Sequence, residues 1–560
     1  MFLRPFDMKK VLLLLLAAIL LCPGCRNVGT ASGGNEEPVM MLRLRMPNTG
    51  TDEAWSTLLS GIRENPGCCD EVWFSTGINF PPMDVHRDHV GRLLKAKEEL
   101  KSLGIGTSVQ VQVTLGHSDA LGSSGDWSAK TWNGWTGSTG VEDKFCNCPR
   151  QPALLDYLRE EAGLYARIKP RVMWVDDDLR YDNHKPGSDG SRIGCWCETC
   201  LADFSAQEGR TWTRESLDKA MASDKDLEER WKAFSISSLD NIARIIAEAA
   251  MAVSPETKMG YQKTFADRDT TVVRTILRTL AEVSGKKVCY RPGGGSYYDK
   301  LHPAAQIIKS MGGARYMKVL GCGDIVESWC PEVETHPRHY GSRTGQSVLL
   351  EGFAALAYGM DAVSMFVLDN GEEPIDVQSR YMLHPLAEGA PVLKEYARAN
   401  KGTVPVGYWG KATSSELFDF GILGIPVLPG LGNRLAELGA GDLKGVNLYH
   451  LPSSGIQSFR EKIDGKGAAP ALCLSPFVGL VMPRVDGDGA LRTLGLLNCR
   501  IDSQGAIRFA LRSLPGGVES AVWRELRKDP VRLKVERDAD GSVFVEVPSI
   551  SAWSAGFLEF

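Results

Sequence analysis

The sequence has no basic stripe, no apolar run long enough to cross a bilayer and no tandem repeat of solenoid period. With a formal net charge of −5 and no clustered Lys and Arg, it lacks the electrostatic footprint of a nucleic-acid binder, which excludes that class of partner. Its long apolar run, Val11–Leu21, falls short of the ~20 helical residues a membrane span requires. Gly293-Gly294-Gly295 follows a strand but lacks the Lys and the dinucleotide context of a phosphate loop, so it reads as a turn and no organic cofactor is implied. Histidine is scarce, at nine residues in 560, and little of it stands near the acidic runs, which weighs against a metal centre of mixed nitrogen and oxygen ligands.

What is present suits a multidomain globular protein. Hydrophobic content of 43% and charge of 24% are ordinary, and 560 residues exceed one core, giving two to four domains. Lys9-Lys10 before Val11–Leu21 is the charged-then-apolar pattern of a signal peptide. The end of that segment, Leu21-Cys22-Pro23-Gly24-Cys25, resembles a bacterial lipobox, with Cys22 where Leu is usual. The resemblance implies lipidation of Cys25, a tether over Arg26–Pro38, and an exported protein that is periplasmic or at the cell surface and meets the membrane only through its lipid.

From Val39 the chain alternates strand and helix. Strands are predicted at Val39–Met46, Glu71–Thr76, Thr107–Leu115, Arg171–Val175, Lys258–Gln262, Lys287–Arg291, Cys322–Trp329 and Asp361–Leu368, with helices between them. Eight such units make a (β/α)8 TIM barrel over residues 39–402. Residues 403–475 read as a small α/β linker domain and 476–560 as an antiparallel β-sandwich, leaving 1–38 as signal peptide and tether.

The barrel's chemistry is concentrated where the fourth predicted strand ends on Asp176, Asp177 and Asp178. Three adjacent carboxylates cannot be buried cheaply, so they belong at the C-terminal mouth, and their mutual repulsion raises one pKa, the condition for a proton donor that Asp176 or Asp177 could meet as well as Asp178. Just behind them, Cys195-x-Cys197-x2-Cys200 supplies three soft ligands, and Cys146-x-Cys148 offers a fourth. Four-thiolate zinc is the reading, with disulfides the alternative in an exported protein.

Over roughly Phe145 to Leu217 the chain resembles the glycoside hydrolase family 42 β-galactosidases. The points of likeness are Cys148 four residues before Pro152, a strand ending in an acidic triplet, and the C-x-C-x2-C run followed by Phe204. The resemblance implies a structural zinc on Cys148, Cys195, Cys197 and Cys200, and Asp178 as general acid/base where the family has Glu. It also implies Asp176 and Asp177 in the place of Asp and Asn, carbohydrate metabolism, and assembly as a homo-oligomer. A retaining glycosidase needs a second carboxylate roughly 5–5.5 Å away, supplied in this architecture by the end of the seventh strand. Glu327 holds that position, with Glu332 and Glu334 as competitors should the strand run further.

Subsite candidates follow from the strand ends: His117, Tyr261, Arg291, Tyr297 and Trp329, with Trp127, Trp132 and Trp135 in the long loop after the third strand as stacking platforms. The expected function is therefore hydrolysis of an oligosaccharide or other glycoside, a β-galactoside on resemblance. The rivals are a catalytically silent carbohydrate-binding lipoprotein and a metal-dependent hydrolase using the acidic run.

Overall fold

The structure, a computed structural model, describes residues 37–560 apart from 78, 117–127, 182–191, 265–269, 300–303, 370–372, 411–416, 418–420, 431–436, 439–449 and 468. The signal peptide, Cys25 and the tether thus lie outside the described residues, as do His117 and Trp127.

The strands are β1 (Met40–Leu44), β2 (Glu71–Ser75), β3 (Gly106–Val111), β4 (Val172–Val175), β5 (Lys258–Thr264), β6 (Val288–Gly293), β7 (Val326–Trp329), β8 (Glu332–Glu334) and β9 (Val363–Phe366). All neighbours pair parallel, in the order β8-β9-β1-β2-β3-β4-β5-β6-β7. β7 and β8 are two halves of one barrel position. Cys330 and Pro331 separate them, and proline has no N–H to give to a ladder. β7 pairs with β6 and β8 pairs with β9, so the broken strand closes the ring. A helix follows each barrel position, from Asp52–Glu64 after β1 to His384–Ala399 after β9. The (β/α)8 expectation holds, with one correction: the seventh strand starts at Val326 and resumes at Glu332 instead of ending at Trp329.

The barrel interior is layered. Met41, Trp73, Val172, Trp174, Cys289, Cys330 and Ala362 form a closed apolar cluster, with Trp73 stacked on Trp174 at 4.1 Å between ring centres. At the N-terminal ends of the strands lie the ion pairs Arg171–Glu71 and Lys258–Glu327. At the C-terminal ends lies a ring of polar side chains, described below.

Beyond Ala399, besides a short parallel pair, Trp409–Gly410 with Glu437–Leu438, and the helix Ser453–Asp464, the described residues form two antiparallel sheets. One carries Gly479–Val485, Leu491–Asn498, Ala555–Glu559, Ser520–Glu525 and Val531–Lys534, joined at its edge by Val404–Pro405. The other carries Ala471–Cys473, Gln504–Leu511, Val543–Ile550 and Glu536–Arg537. Side chains from both sheets, among them Leu494, Trp523, Phe509 and Val545, close one apolar core, which makes this a β-sandwich. Stacking of Phe353, Tyr396 and Phe557 and a hydrogen bond from Arg484 Nη1 to Leu356 O (2.8 Å) seat the sandwich on the barrel helices.

A buried polar chain ties the helices Met83–Ser102 and Pro152–Ala166 to the barrel. His86 contacts the hydroxyls of Tyr165 (3.0 Å) and Tyr157 (2.7 Å), and His89 contacts Tyr165 (2.8 Å) and Thr49 (2.8 Å). Burial pushes His86 down to about 4 and His89 to about 3, while burial, with Asp178 adding, pushes Glu161 up to about 8. The histidines therefore stabilise the fold above their ordinary value of 6.5 and lose that contribution as pH falls towards 4 and 3. Glu161 acts oppositely, contributing below 4.5 and losing it as pH rises through about 8. Glu161→Gln is expected to raise the melting temperature at pH 9 by several degrees and to leave it little changed at pH 5; thermal unfolding across pH checks this.

Candidate active site

The mouth is built from alternate residues of the strands. In β1 the sequence MMLRLRM alternates apolar and basic, which puts Arg43 and Arg45 on one side of the strand at its C-terminal end. Arg43 is buried: its Nε donates to Gln110 Oε1 of β3 (2.6 Å), Nη1 lies 3.3 Å from Glu332 Oε1 and Nη2 3.4 Å from Asp176 Oδ1. Gln110 in turn donates to Asp176. On the far side, Arg291 of β6 donates from Nε to Gln262 of β5 (2.8 Å), with Nη1 2.8 Å from Glu332 Oε1 and Nη2 3.7 Å from Asp177 Oδ2. Two guanidinium groups thus bridge the acidic run after β4 to Glu332 on β8. Gly293 makes this possible: a Cβ there would fall 2.1 Å from Arg291 Nη1 and 2.8 Å from Glu332 Oε2.

The members of the acidic run have different surroundings. Asp176 is buried in the Arg43 and Gln110 contacts. Asp177 keeps 14% of its side chain exposed, the most of the three, and stands between Arg291 and Arg180. Asp178 is fully buried and accepts from Thr114 N (2.8 Å), Thr114 Oγ1 (2.6 Å) and Gly116 N (2.7 Å). Gly116 can approach because it has φ +96° and no Cβ, which would sit 2.2 Å from Phe145 O. Asp178, expected as acid/base, is thus held by three hydrogen bonds. Its carboxylate is taken up in tying the loop after β3 to the loop after β4.

Glu327, expected as nucleophile, ion-pairs with Lys258, the first residue of β5, at 2.6 Å, and lies 3.8 Å from Cys289 of the apolar cluster, at the end of the barrel away from the acidic run. Five residues on, roughly 16 Å at strand rise, Glu332 reaches the mouth. Glu334, two residues further, pairs with Arg338 at 2.9 Å. Burial and then Glu332 push its carboxyl up to about 7, against the pull of Arg338, Arg43 and Arg291.

A second layer holds β8 from behind. Lys309 donates to Glu332 O (2.7 Å), and Arg343 Nη1 donates to Glu334 O (3.0 Å) and Ser296 O (3.1 Å). Both cations converge on buried Glu351, which contacts Arg343 and lies 2.7 Å from Lys309. Burial alone would raise the Glu351 carboxyl, yet the two cations outweigh it and hold it below the usual range. Glu351→Gln leaves buried Lys309 without its anion and Arg343 with only Asp299 at 3.7 Å, and a loss of about 3–5 kcal/mol is expected in denaturant unfolding.

Of the remaining sequence candidates, Tyr297 joins the site: burial, then Glu332 and Glu334, push its phenol up, and the Lys309 ammonium lies 5.9 Å from its ring. Tyr261 is fully buried and donates to Leu179 O (3.1 Å). Trp329 packs edge-on against Tyr290 in the core. Trp132 bonds Asn147 Oδ1 (2.9 Å) and packs on Phe80 and Tyr157, and Trp135 bonds Gly194 O (3.0 Å). Trp132 and Trp135 are buried holding the long loop together and Tyr261 and Trp329 are buried in the barrel, so none of the four presents an open face to a sugar. Sequence reasoning missed Arg43, Arg45, Gln110, Gln262, Lys309, Arg338, Arg343 and Glu351. The period-two placement of charge in β1 was the legible signal for the first two.

Beside the acidic run, the Sγ atoms of Cys148, Cys195, Cys197 and Cys200 are buried and within 4.8 Å of one another. Cys148 lies 3.4 Å from Cys197 and 3.5 Å from Cys200. These separations far exceed a disulfide's ~2.05 Å and come near the roughly 3.8 Å edge of a tetrahedron of thiolates at ~2.3 Å from zinc. The four thiols fit such an ion. Cys146 points elsewhere, to Gly116 O (3.6 Å). The cluster joins the hairpin of Gly134–Thr136 and Glu142–Asn147 to the helix Glu198–Glu208.

The architecture is a closed parallel barrel with acids gathered at its C-terminal mouth and a β-sandwich packed on its helices. No protein-family model matches the chain and no curated protein matches it in sequence. Among solved structures it is similar to β-galactosidase from Bacillus circulans sp. alkalophilus, at 12% identity and TM-score 0.51, covering 93% of this chain and 99% of that one. A catalytic mutant of Gan42B, a GH42 β-galactosidase from G. stearothermophilus, gives 10% identity and TM-score 0.52 over 93% and 98%. β-Galactosidase from the psychrophilic Marinomonas ef1 gives 10% and 0.50 over 93% and 100%. At these identities the likeness is one of fold: the chain is built as the GH42 β-galactosidases are.

Proposed function

We propose that the protein is an exported, lipid-anchored glycoside hydrolase of the retaining kind, with a β-galactoside as the first substrate to try. The observation that carries the reading is Arg291, whose two Nη atoms lie 2.8 Å from Glu332 and 3.7 Å from Asp177. One guanidinium thus gathers a carboxylate from each side of the mouth, and double displacement calls for two such acids roughly 5–5.5 Å apart. Glu332, held by Arg43 and Arg291, attacks the anomeric carbon. Asp177, the most exposed acid of the run, protonates the departing oxygen and then takes a proton from water. Zinc on Cys148, Cys195, Cys197 and Cys200 fixes the loop that carries Asp177, and a homo-oligomer is the expected assembly.

A panel of aryl glycosides tests this. Asp177→Asn is expected to cut kcat/KM by about 10²-fold or more on substrates with poor leaving groups and far less on dinitrophenyl glycosides, which leave without a proton. Turnover that ignores Asp177 for every leaving group sinks its role. The sequestration of Asp178 favours a second reading, sugar binding without turnover; a panel that binds without hydrolysis would establish it.

A further inference from the structure

Arg45 differs from the other two guanidinium groups around Phe366. Three guanidinium groups surround the Phe366 ring: Arg43 at 4.8 Å, Arg45 at 4.9 Å and Arg338 at 3.9 Å from its centre. Arg43 has Asp176 and Glu332 as partners, and Arg338 has Glu334. Arg45 has no carboxylate at ion-pair distance among the described residues, and its Nε is buried without a hydrogen-bond partner. Burial lowers its pKa most, then repulsion from Arg338 and Arg43; Glu334 and Asp176 offset this only in part and leave it at about 10. His336, close by, is also pushed down, by burial and then by Arg338 and Arg45.

A neutral sugar does not relieve this. Its hydroxyls accept hydrogen bonds but bring no charge, and a half-buried guanidinium with like charges beside it and no carboxylate of its own calls for an anion. We infer that the glycoside taken by this site carries an anionic group, a carboxylate or a sulfate ester, seated on Arg45 with Arg338 beside it. The planar fork of Arg45 suits either group through paired N–H···O bonds. Phe366 holds the two guanidinium planes in place. The inference rests on the glycosidase reading only for the word glycoside; the anion site stands on its own contacts.

The test is calorimetric titration of the full chain with glucuronic acid, galacturonic acid, galactose 6-sulfate, glucose and galactose, at low and high salt. At least one acidic sugar is expected to bind roughly tenfold or more tighter than its neutral counterpart, with salt weakening only the former. The carboxylate and sulfate arms separate the two sources of charge. Arg45→Gln is expected to abolish the preference and Arg45→Lys to keep part of it, with melting curves confirming that both variants fold. Equal binding of acidic and neutral sugars, a preference that survives Arg45→Gln, or no binding by any of the five overturns the inference. Aryl glycoside turnover, run alongside, keeps the readings apart. Hydrolysis of neutral glycosides without an acidic preference removes the inference and leaves the hydrolase, whereas tight acidic binding with no turnover anywhere does the reverse.

Discussion

Glu332→Gln is expected to lower turnover of the best aryl glycoside by on the order of 10³-fold or more, while Glu327→Gln is expected to leave it within about twofold. The contrast follows from position. Glu332 stands in the mouth between Arg43 and Arg291, and Glu327 pairs with Lys258 at the opposite end of the strands. Steady-state kinetics on the two variants read it directly. Stability moves as well: Glu332→Ala leaves two buried guanidinium groups facing Asp176 and Asp177 alone, at a cost of about 3–5 kcal/mol. The amide variant keeps the shape and isolates the chemistry. Azide restores turnover to Glu332→Ala as a glycosyl azide, and rescue confined to Glu334→Ala would move the nucleophile two residues along β8.

The second large effect is on the cysteine cluster. One zinc per chain is expected by elemental analysis, and Cys148→Ser or Cys197→Ser is expected to abolish it. Structural zinc in thiolate sites binds with apparent free energies of about 10–16 kcal/mol, so its loss far exceeds an ordinary point substitution. The melting temperature should fall by 10 °C or more on the order-of-magnitude scale of a lost metal staple. On this proposal brief chelation is expected to leave turnover intact, since the thiols are buried and a structural metal would do no chemistry. Metal-free protein with an unchanged melting temperature would refute the assignment.

Much of this was legible before any coordinates. The eight β/α units follow from alternating short β-branched runs and amphipathic helices, and the cysteine spacing identified its cluster because soft ligands so close together have few other uses. The end of β4 was equally clear, since carboxylates cannot continue a buried strand. The seventh strand was not, because Pro331 breaks its ladder and the reading stopped at Trp329, before Glu332. Which member of the acidic run faces the opening depends on Thr114 and Gly116, brought from another loop by the fold. Trp132 and Trp135 misled because a tryptophan in a polar loop looks the same in sequence whether it stacks on a sugar or on Tyr157. Arg43 and Arg45 were readable from their spacing in β1, but the partners of Arg43 on β3, after β4 and on β8 were not.

The most direct measurement is covalent trapping. Incubation with a panel of activated 2-deoxy-2-fluoro glycosides, acidic sugars included, followed by peptide mapping, places the glycosyl group on the residue that attacks. The account predicts a single adduct on Glu332. An adduct on Glu327 or Glu334, or steady hydrolysis with no adduct under any reagent, contradicts it.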